Sequence, residues 1–171
     1  MSKDNEVVLW FSCGASSAVA GKLAVDKYGN DVDLVYCDTG GEHESNHKFL
    51  KDCEEWYDRE IIILKNPKYK DHFDVVEKER FINSPYGARC TFELKRKMRE
   101  KSNYCESINI FGYTIEEVER AKKALYSRIL NLLLSGDDDK KDRGIKMALN
   151  LKEKSPARYG HLKRLYKARM E

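Results

Sequence analysis

Proline and glycine are scarce in this sequence, at three and ten among 171 residues. This scarcity excludes a collagen-like chain and a low-complexity, disordered one. Long apolar runs are also missing, since no stretch approaches the roughly 20 residues that a membrane-spanning helix needs. The first six residues are polar and lead directly into an apolar segment, which argues against a signal peptide. We therefore expect a soluble, cytoplasmic protein with no membrane partner and one substantial core.

Cysteine pairs of the Cys-x-x-Cys type do not occur. The five cysteines are scattered along the chain and odd in number: Cys13, Cys37, Cys53, Cys90 and Cys105. This spacing fits neither a disulfide framework nor a zinc or iron–sulfur site. We therefore expect free thiols in a reducing compartment, with no iron–sulfur cluster and no metal ligands among the site residues.

Charge is distributed unevenly along the chain. The formal net charge is +3, yet residues 140–171 contain eleven Lys or Arg against three Asp or Glu. The preceding 139 residues are acidic overall, at −5. Such an excess of positive charge at one end indicates an anionic partner, for which nucleic acid is the obvious candidate. The alternative is a pair of solvated basic helices without a partner.

The alternation of apolar segments predicts the fold class. Four runs are predicted to be strands, at residues 7–11, 32–36, 61–64 and 107–111, and those at 7–11 and 61–64 are continuously apolar, as buried parallel strands are. Between the first three runs, apolar residues recur at helical spacing, and Gly29-Asn30 ends the first helix. The order strand–helix–strand–helix–strand predicts an α/β fold with an open parallel sheet and helices on both faces.

The second half of the chain is mainly helical by the same criteria. Helices are expected at residues 73–81, 91–101 and about 115–134, with a turn at residues 83–87. Two further helices follow Ser135, and the second begins at Ser155-Pro156, a good cap and first-turn pair. We therefore expect an α/β domain over residues 1–134 and a basic helical C-terminal extension over residues 135–171.

The segment between the first strand and the first helix has the composition of an anion-binding loop. It reads Ser12-Cys13-Gly14-Ala15-Ser16-Ser17. Ligands of open parallel sheets bind outside the carboxyl ends of the strands, where a helix N-terminus offers N–H groups to a phosphate. We expect a positive φ at Gly14. Because the Walker pattern and Gly-x-Gly-x-x-Gly are both absent, the alternative is a serine-rich helix cap without a ligand.

A zinc-peptidase motif, His-Glu-x-x-His, occurs at residues 43–47. On a helix, His43 and His47 would share one face, and Glu44 would act as a general base on a zinc-bound water. The motif directly follows a Gly-Gly turn, however, and no third ligand stands at a familiar spacing. A zinc metallopeptidase is therefore a remote alternative. A further alternative is that His43 or His47 contacts a ligand held by the loop Ser12–Ser17, because this turn faces the same cleft.

Four segments in order along the first 125 residues or so carry a family resemblance. Ser12–Ser17 is similar to Ser-Gly-Gly-x-Asp-Ser, and Cys37-Asp38-Thr39-Gly40 contains the Asp-Thr-Gly that follows a second strand. Residues 89–95, Arg-Cys-Thr-Phe-Glu-Leu-Lys, are similar to Cys-Thr-x-x-Leu-Lys, and residues 112–120 to Gly-x-x-x-x-Glu followed by Arg. Together they resemble the phosphoadenosine phosphosulfate reductase family of the adenine nucleotide α-hydrolase (PP-loop) superfamily, especially its phage-encoded and DNA-modification members.

The resemblance implies a Rossmann-like sheet that binds an adenine nucleotide, either ATP or phosphoadenosine phosphosulfate. The nucleotide-binding residues that it implies are Ser12, Cys13, Gly14, Ala15, Ser16, Ser17, Asp38, Thr39, Gly40, Gly112, Glu116 and Arg120. Arg89 and Lys95 would neutralise phosphate or sulfate charge and are the catalytic candidates. Cys90, beside them, is a candidate substitute nucleophile, since nearby cations lower a thiol pKa.

The sequence departs from the family pattern in two places. The loop has Cys13 where the family has Gly and Ser16 where it has Asp, which removes a carboxylate used in magnesium-dependent ATP cleavage. The reductases' C-terminal Glu-Cys-Gly-x-His tail is also missing, because residues 106–171 contain no cysteine. Reduction by that route is therefore not expected.

The resulting functional hypothesis is a shortened, phage-type family member that acts on an adenine nucleotide. It would act at the α-phosphate of ATP, releasing pyrophosphate and adenylating an acceptor, with magnesium as an optional cofactor, or it would act on a sulfated nucleotide. The alternative is a non-catalytic nucleotide-binding module associated with nucleic acid through the basic C-terminus. A homodimer is compatible with the sequence, which leaves the acceptor and the oligomeric state open.

Overall fold

The computed structural model describes residues 7–84 and 87–170. Its main sheet has four parallel strands in the order β3-β2-β1-β6. A two-stranded antiparallel ribbon, β4 with β5, lies outside it. The strands are β1 (Val7–Phe11), β2 (Val32–Asp38), β3 (Ile62–Lys65), β4 (Asn83–Ser84), β5 (Gly87–Ala88) and β6 (Ile108–Phe111). The predicted α/β fold with an open parallel sheet is confirmed.

Strand β1 lies in the interior of the sheet because all five of its residues are apolar. Each of them is buried, as a parallel strand covered on both faces requires. In the register of the sheet, Leu9 lies opposite Leu34 of β2 and Ile110 of β6. The four carboxyl ends therefore point to one edge, where β1 is flanked by β2 and β6.

Helices and turns cover both faces of this sheet, as predicted. On one face, the side chains of Leu9, Phe11 and Leu34 pack with α1 and α2 through residues such as Ala18 and Leu50. On the other face, Val8, Trp10, Val35 and Cys37 pack with Tyr104, and Met98 lies against the same cluster. The alternation of side chains along each strand thus supplies two separate apolar layers.

The helices differ from the sequence prediction mainly at their N-termini. They are α1 (Ala15–Tyr28), α2 (Glu44–Tyr57), α3 (His72–Glu79), α4 (Arg89–Thr91), α5 (Lys97–Lys101), α6 (Val118–Leu133), α7 (Asp138–Lys154) and α8 (Pro156–Met170). A π-helical segment, Phe92–Arg96, joins α4 to α5 inside the helix predicted at residues 91–101. Helix α2 begins at Glu44, ahead of its first apolar residue, because polar residues form its first turn. Part of the turn expected at residues 83–87 lies outside the described residues.

The contacts divide the chain into two compact units, one ending at Gly112 and the other beginning at Tyr113. The second unit contains α6, α7 and α8. Its core consists of Tyr126, Ile129, Leu130, Ala148, Leu151 and Leu162. Residue 134, where the sequence suggested a domain boundary, lies inside this unit; as a division into domains, that boundary stays a prediction. No helix of the described residues is long and apolar enough to cross a membrane.

Candidate functional site

The loop after β1 is held in shape by one buried hydroxyl, that of Ser17. Its Oγ accepts hydrogen bonds from the N–H groups of Ser12 and Gly14, at 3.2 and 3.3 Å, and from the Ser12 hydroxyl at 3.1 Å. It donates to the Gly14 carbonyl at 2.8 Å. Since Ser17 is only 1% exposed, its hydroxyl closes the loop from within. Ala15 and Ser16, in the first turn of α1, form the outer part of the loop.

The positive φ expected at Gly14 is found at its neighbour instead. Cys13 has a φ of 54°, whereas Gly14, the residue that precedes α1, has an extended backbone with a φ of −112°. The expectation for Gly14 was wrong because the chain reverses one residue earlier, at the position where the resembling family has glycine. A non-glycine residue in the left-handed region costs roughly 1–2 kcal/mol.

This strain leads to a prediction about two variants that both remove the Cys13 thiol. Cys13→Gly should have a free energy of unfolding about 1 kcal/mol higher than Cys13→Ala, because only alanine keeps a Cβ at positive φ. Chemical denaturation of the two variants measures the difference. Gly136→Ala is the control, since Gly136 has no positive φ and a Cβ there would meet nothing within 4 Å, so the change should cost little. Equal stability of the two Cys13 variants would contradict a positive φ at this residue.

Strand β6 ends directly against the loop through Gly112. A Cβ atom at Gly112 would lie 2.4 Å from the Ser16 carbonyl oxygen and 2.5 Å from the Ser17 Cα. The backbone can approach this closely only because Gly112 has no side chain. The chain runs from β1 to β2 and β3 on one side, whereas β6 lies on the other. The loop therefore lies at a topological switch point, where open α/β sheets bind ligands.

Asp38, the last residue of β2, and Thr39, which follows it, lie at the carboxyl edge of the sheet, the same edge as the loop Ser12–Ser17. The Asp38 carboxylate accepts from the Gly40 N–H at 2.8 Å and from Lys65 Nζ at 3.0 Å. Partial burial alone would raise the pKa of Asp38, but these bonds lower it below its ordinary value. Gly40 has a φ of 71°, and a Cβ there would lie 1.9 Å from the Lys70 carbonyl oxygen. Glycine is therefore required at this turn.

Lys95 reaches the same edge and meets a carboxylate that sequence reasoning did not single out. Its Nζ lies 3.7 Å from Glu42 Oε1, which also accepts from the Thr39 hydroxyl at 3.0 Å. Asn46 donates to the other Glu42 oxygen at 2.7 Å. Burial and, next, the Glu42 charge raise the pKa of the Cys13 thiol to about 11, so it stays protonated at neutral pH. In the sequence, the one feature that could have indicated the part of Glu42 in the candidate site was its position in the turn after Asp-Thr-Gly.

Arg89 is engaged by two carboxylates instead of projecting freely. Its Nε and Nη2 donate to Glu79 Oε2 at 3.2 and 2.8 Å. Its Nη2 also lies 2.9 Å from Oε1 of Glu93, at ion-pair distance but without hydrogen-bond geometry. Glu93 is only 1% exposed, and Lys97 pairs with its other oxygen at 2.8 Å. Alternating charges thus fix the π-helical segment that carries Lys95.

Glu79 links this network to the preceding segment and gives a prediction about pH. The Tyr69 hydroxyl, then Lys68 and Arg89, lower the pKa of Glu79 from 4.5 to about 2. Because the folded-state pKa is depressed, the stabilisation is complete above pH 4.5 and is lost as the pH falls toward 2. Glu79→Gln should therefore be less stable than the wild type at pH 7, and the difference should shrink between pH 4.5 and 2.

Thermal unfolding across this pH range measures the Glu79 effect. Glu77→Gln, an exposed carboxylate on the same helix, is the matched control, and its unfolding curve should follow that of the wild type. A Glu79→Gln deficit that stays constant from pH 7 down to pH 2 would show that the contacts to Tyr69, Lys68 and Arg89 do not form as described.

Three sequence-predicted residues make other contacts within their own units. Cys90 is half-buried against the cluster of Tyr69, Val75 and Leu94. Glu116 and Arg120 belong to the second unit. There a hydrogen bond from the backbone N–H and then one from the Thr114 hydroxyl lower the pKa of Glu116. The Arg120 guanidinium pairs with Glu117 and lies 5.8 Å from the centre of the Tyr113 ring.

The His-Glu-x-x-His motif does not have the geometry of a zinc-peptidase helix. His43 precedes α2 with an extended backbone, and its Nδ1 accepts from the Ser45 N–H at 3.2 Å. His43 and His47 therefore do not share a helical face. Over residues 7–84 and 87–170, no group of three or more His, Cys, Asp or Glu side chains is placed to hold a metal ion.

Comparison with known proteins identifies the family. A family model described as the phosphoadenosine phosphosulfate reductase domain matches residues 6–128. This range includes all four motif segments, from the loop at Ser12 to Arg120, so the resemblance is confirmed. No curated protein and no solved structure matches the chain. The chain belongs to the phosphoadenosine phosphosulfate reductase domain family, whose enzymes act on adenine nucleotides.

Proposed function

We propose that this chain is an adenine-nucleotide-binding enzyme that acts at the α-phosphate of ATP. The observation that carries the proposal is the loop Ser12–Ser17 at the switch point between β1 and β6, closed by Ser17 and packed against Gly112. The Ser17 hydrogen bonds and the packing against Gly112 fix the backbone of this loop, at the position where α/β proteins of this topology hold phosphate groups.

The loop is electrostatically suited to an anion. Helix α1 begins at Ala15, so its first-turn N–H groups and the positive end of its dipole face the loop. Its first turn contains no acidic residue that would repel an anion. A polyphosphate chain bound here would accept hydrogen bonds from the first-turn N–H groups of α1, in place of water.

Lys95 supplies the mobile positive charge in this proposal. Its contact with Glu42 is long, at 3.7 Å, and the lysine side chain is 40% exposed. Exchanging this weak pair for a phosphate oxygen costs little, because a charge-assisted hydrogen bond replaces a partly solvated contact. Lys95 would thus stabilise negative charge on the pyrophosphate as it leaves.

The carboxylates of Asp38 and Glu42 are the candidate ligands for a magnesium ion shared with the nucleotide. Asp38 ends β2, Glu42 accepts from the Thr39 hydroxyl in the following turn, and magnesium is commonly held by one or two carboxylates together with substrate phosphates. Glu42 would take over from the aspartate that the family has at the position of Ser16. When bound, the ion would neutralise phosphate charge; Asp38 and Glu42 would orient it.

The proposed reaction needs no covalent intermediate on the protein. An acceptor nucleophile forms a bond to the α-phosphorus, the bond from that phosphorus to the bridging oxygen breaks, and pyrophosphate leaves with the electron pair. The protonated Cys13 thiol and the packed Cys90 side chain both support direct transfer. A sulfated nucleotide bound at the same loop is the close second substrate.

The competing proposal is a non-catalytic nucleotide-binding module associated with nucleic acid. The observation that favours it is the double engagement of Arg89 by Glu79 and Glu93, which leaves one fewer cation for the transferred group. We also propose a cytoplasmic location, a phage-type origin and a homodimer for this chain.

Calorimetric titration with ATP, AMP and phosphoadenosine phosphosulfate, with and without magnesium, tests the binding step. Incubation with labelled ATP then tests the chemistry, with water as the surrogate acceptor. The proposal predicts AMP and pyrophosphate in equal amounts. Binding without turnover would favour the module, exclusive binding of the sulfated nucleotide would favour the second substrate, and no binding at millimolar concentration would contradict a nucleotide site.

A further inference from the structure

The helices α7 and α8 carry a concentration of positive charge that nucleotide binding does not use. Residues 143–170 contain nine Lys or Arg, with Glu153 as the one acidic residue. Helix α8 has no acidic residue at all. Repulsion among these cations disfavours the isolated unit, so a partner that neutralises them would stabilise it.

Part of this charge has no carboxylate beside it. At the start of α7, Lys140 and Lys141 pair with Asp137 and Asp138 at 3.3 and 3.6 Å, and Arg158 interacts electrostatically with Glu119. In the part of the chain that the structure describes, five further cations have no carboxylate within 4 Å: Lys146, Lys152, Lys154, Lys163 and Arg164. The surface is therefore basic after internal pairing is taken into account.

The middle of α8 carries cations on the side away from its packed face. Leu162 is 2% exposed, and Tyr159, Leu165 and Tyr166 pack against the same core of the second unit. At 100° per residue, Arg164 falls on the face opposite Leu162, with Lys163 between them, whereas Arg158 and Arg169 fall on the Leu162 side. Lys163 and Arg164 are both exposed. This part of the helix thus presents charge to solvent while Leu162 and Leu165 pack inward.

We infer that this surface of α7 and α8, with Lys163 and Arg164 at its centre, binds the phosphate backbone of double-stranded nucleic acid without reading its sequence. An anionic membrane would require apolar side chains among the outward cations, but beside Lys163 and Arg164 the side chains of Leu162 and Leu165 pack inward; the exposed Ile145 and Leu149 of α7 make the vesicle comparison below necessary. Stacking on unpaired bases would require exposed aromatic rings, whereas Tyr159 and Tyr166 are half-buried. The phosphates of a duplex are negatively charged and regularly spaced, so they match a surface of exposed Lys and Arg side chains.

Fluorescence anisotropy with two labelled DNA duplexes of unrelated sequence, titrated from about 50 to about 200 mM salt, tests the inference. For about four phosphate contacts, the plot of log affinity against log salt should have a slope of about −4. The double variant K163E/R164E should flatten it by about 2. The control K48E/K51E makes the same charge change at exposed lysines of α2 and should keep the wild-type slope.

Three results would overturn the inference: no binding at the lowest salt, an unchanged slope in K163E/R164E, or binding to anionic vesicles but not to duplexes. Circular dichroism and nucleotide titration of the variants show whether the fold and the first unit are intact. The basic surface and the loop Ser12–Ser17 belong to different units. A protein that binds duplex DNA but no nucleotide would therefore support this inference and contradict the proposed function.

Discussion

Replacement of Gly112 by alanine is expected to lower the free energy of unfolding by about 3 kcal/mol and to abolish nucleotide binding. The added Cβ would stand 2.4 Å from the Ser16 carbonyl oxygen and 2.5 Å from the Ser17 Cα. Both are backbone atoms of the loop Ser12–Ser17, so no side-chain rotation can relieve the clash. Overpacking of this kind typically costs about 1–3 kcal/mol, and the upper end applies to fixed backbone.

Chemical denaturation and calorimetric titration of Gly112→Ala measure the two effects together. Gly160→Ala is the matched control because a Cβ at Gly160, inside α8, would meet nothing within 4 Å. Alanine is favoured over glycine in a helix by about 1 kcal/mol, so this control should be slightly more stable and bind nucleotide normally. A Gly112→Ala protein with wild-type stability and affinity would show that β6 does not pack against the loop.

Replacement of Lys95 by alanine is expected to weaken nucleotide binding by about 30-fold while leaving the fold intact. A charge-assisted hydrogen bond to phosphate is worth about 2 kcal/mol, which converts to that factor. The loss of the contact with Glu42 should matter little for stability, because that pair is long and 40% of the Lys95 side chain is exposed.

Two companions make the Lys95 experiment specific. Lys101→Ala removes an exposed lysine from the end of α5 and should leave the affinity unchanged. Lys95→Arg keeps the charge and should recover most of the affinity. If Lys95→Ala binds ATP as tightly as the wild type, the lysine does not reach the phosphates and the charge must come from elsewhere.

The central part of the fold could be predicted from sequence because its signals are local. The unbroken apolar run Val7–Phe11 predicts a strand covered on both faces, and all five residues are buried. Gly29-Asn30 correctly predicts the end of α1 after Tyr28, and Ser155-Pro156 the start of α8. Small residues after a central strand likewise indicated where the loop lies, since ligand position follows topology.

Details of the candidate site depend on long-range contacts, and these the sequence could not provide. The positive φ belongs to Cys13, which no residue preference favours, because the closed geometry around Ser17 sets the turn. Glu42 becomes part of the site only when the β2 loop meets Lys95 across 53 positions of sequence. Arg89 looked available for a phosphate, but Glu79 and Glu93 occupy its guanidinium once the chain is folded.

The measurement that tests the nucleotide site most directly compares Gly14→Asp with Gly14→Asn by calorimetric titration with ATP. Both side chains fit, because the backbone of Gly14 is extended and the nearest atom to a Cβ is 3.8 Å away. Both are also favourable residues at a helix N-cap, so stability should be retained. The two variants then differ in one negative charge at the loop.

Like charges about 4 Å apart near a protein surface repel by about 4 kcal/mol, so Gly14→Asp should bind ATP at least about 100-fold more weakly than Gly14→Asn. Gly14→Asn should bind nearly as well as the wild type. Equal affinities for the two variants, at equal stability, would contradict the claim that Ser12–Ser17 holds the phosphates of an adenine nucleotide.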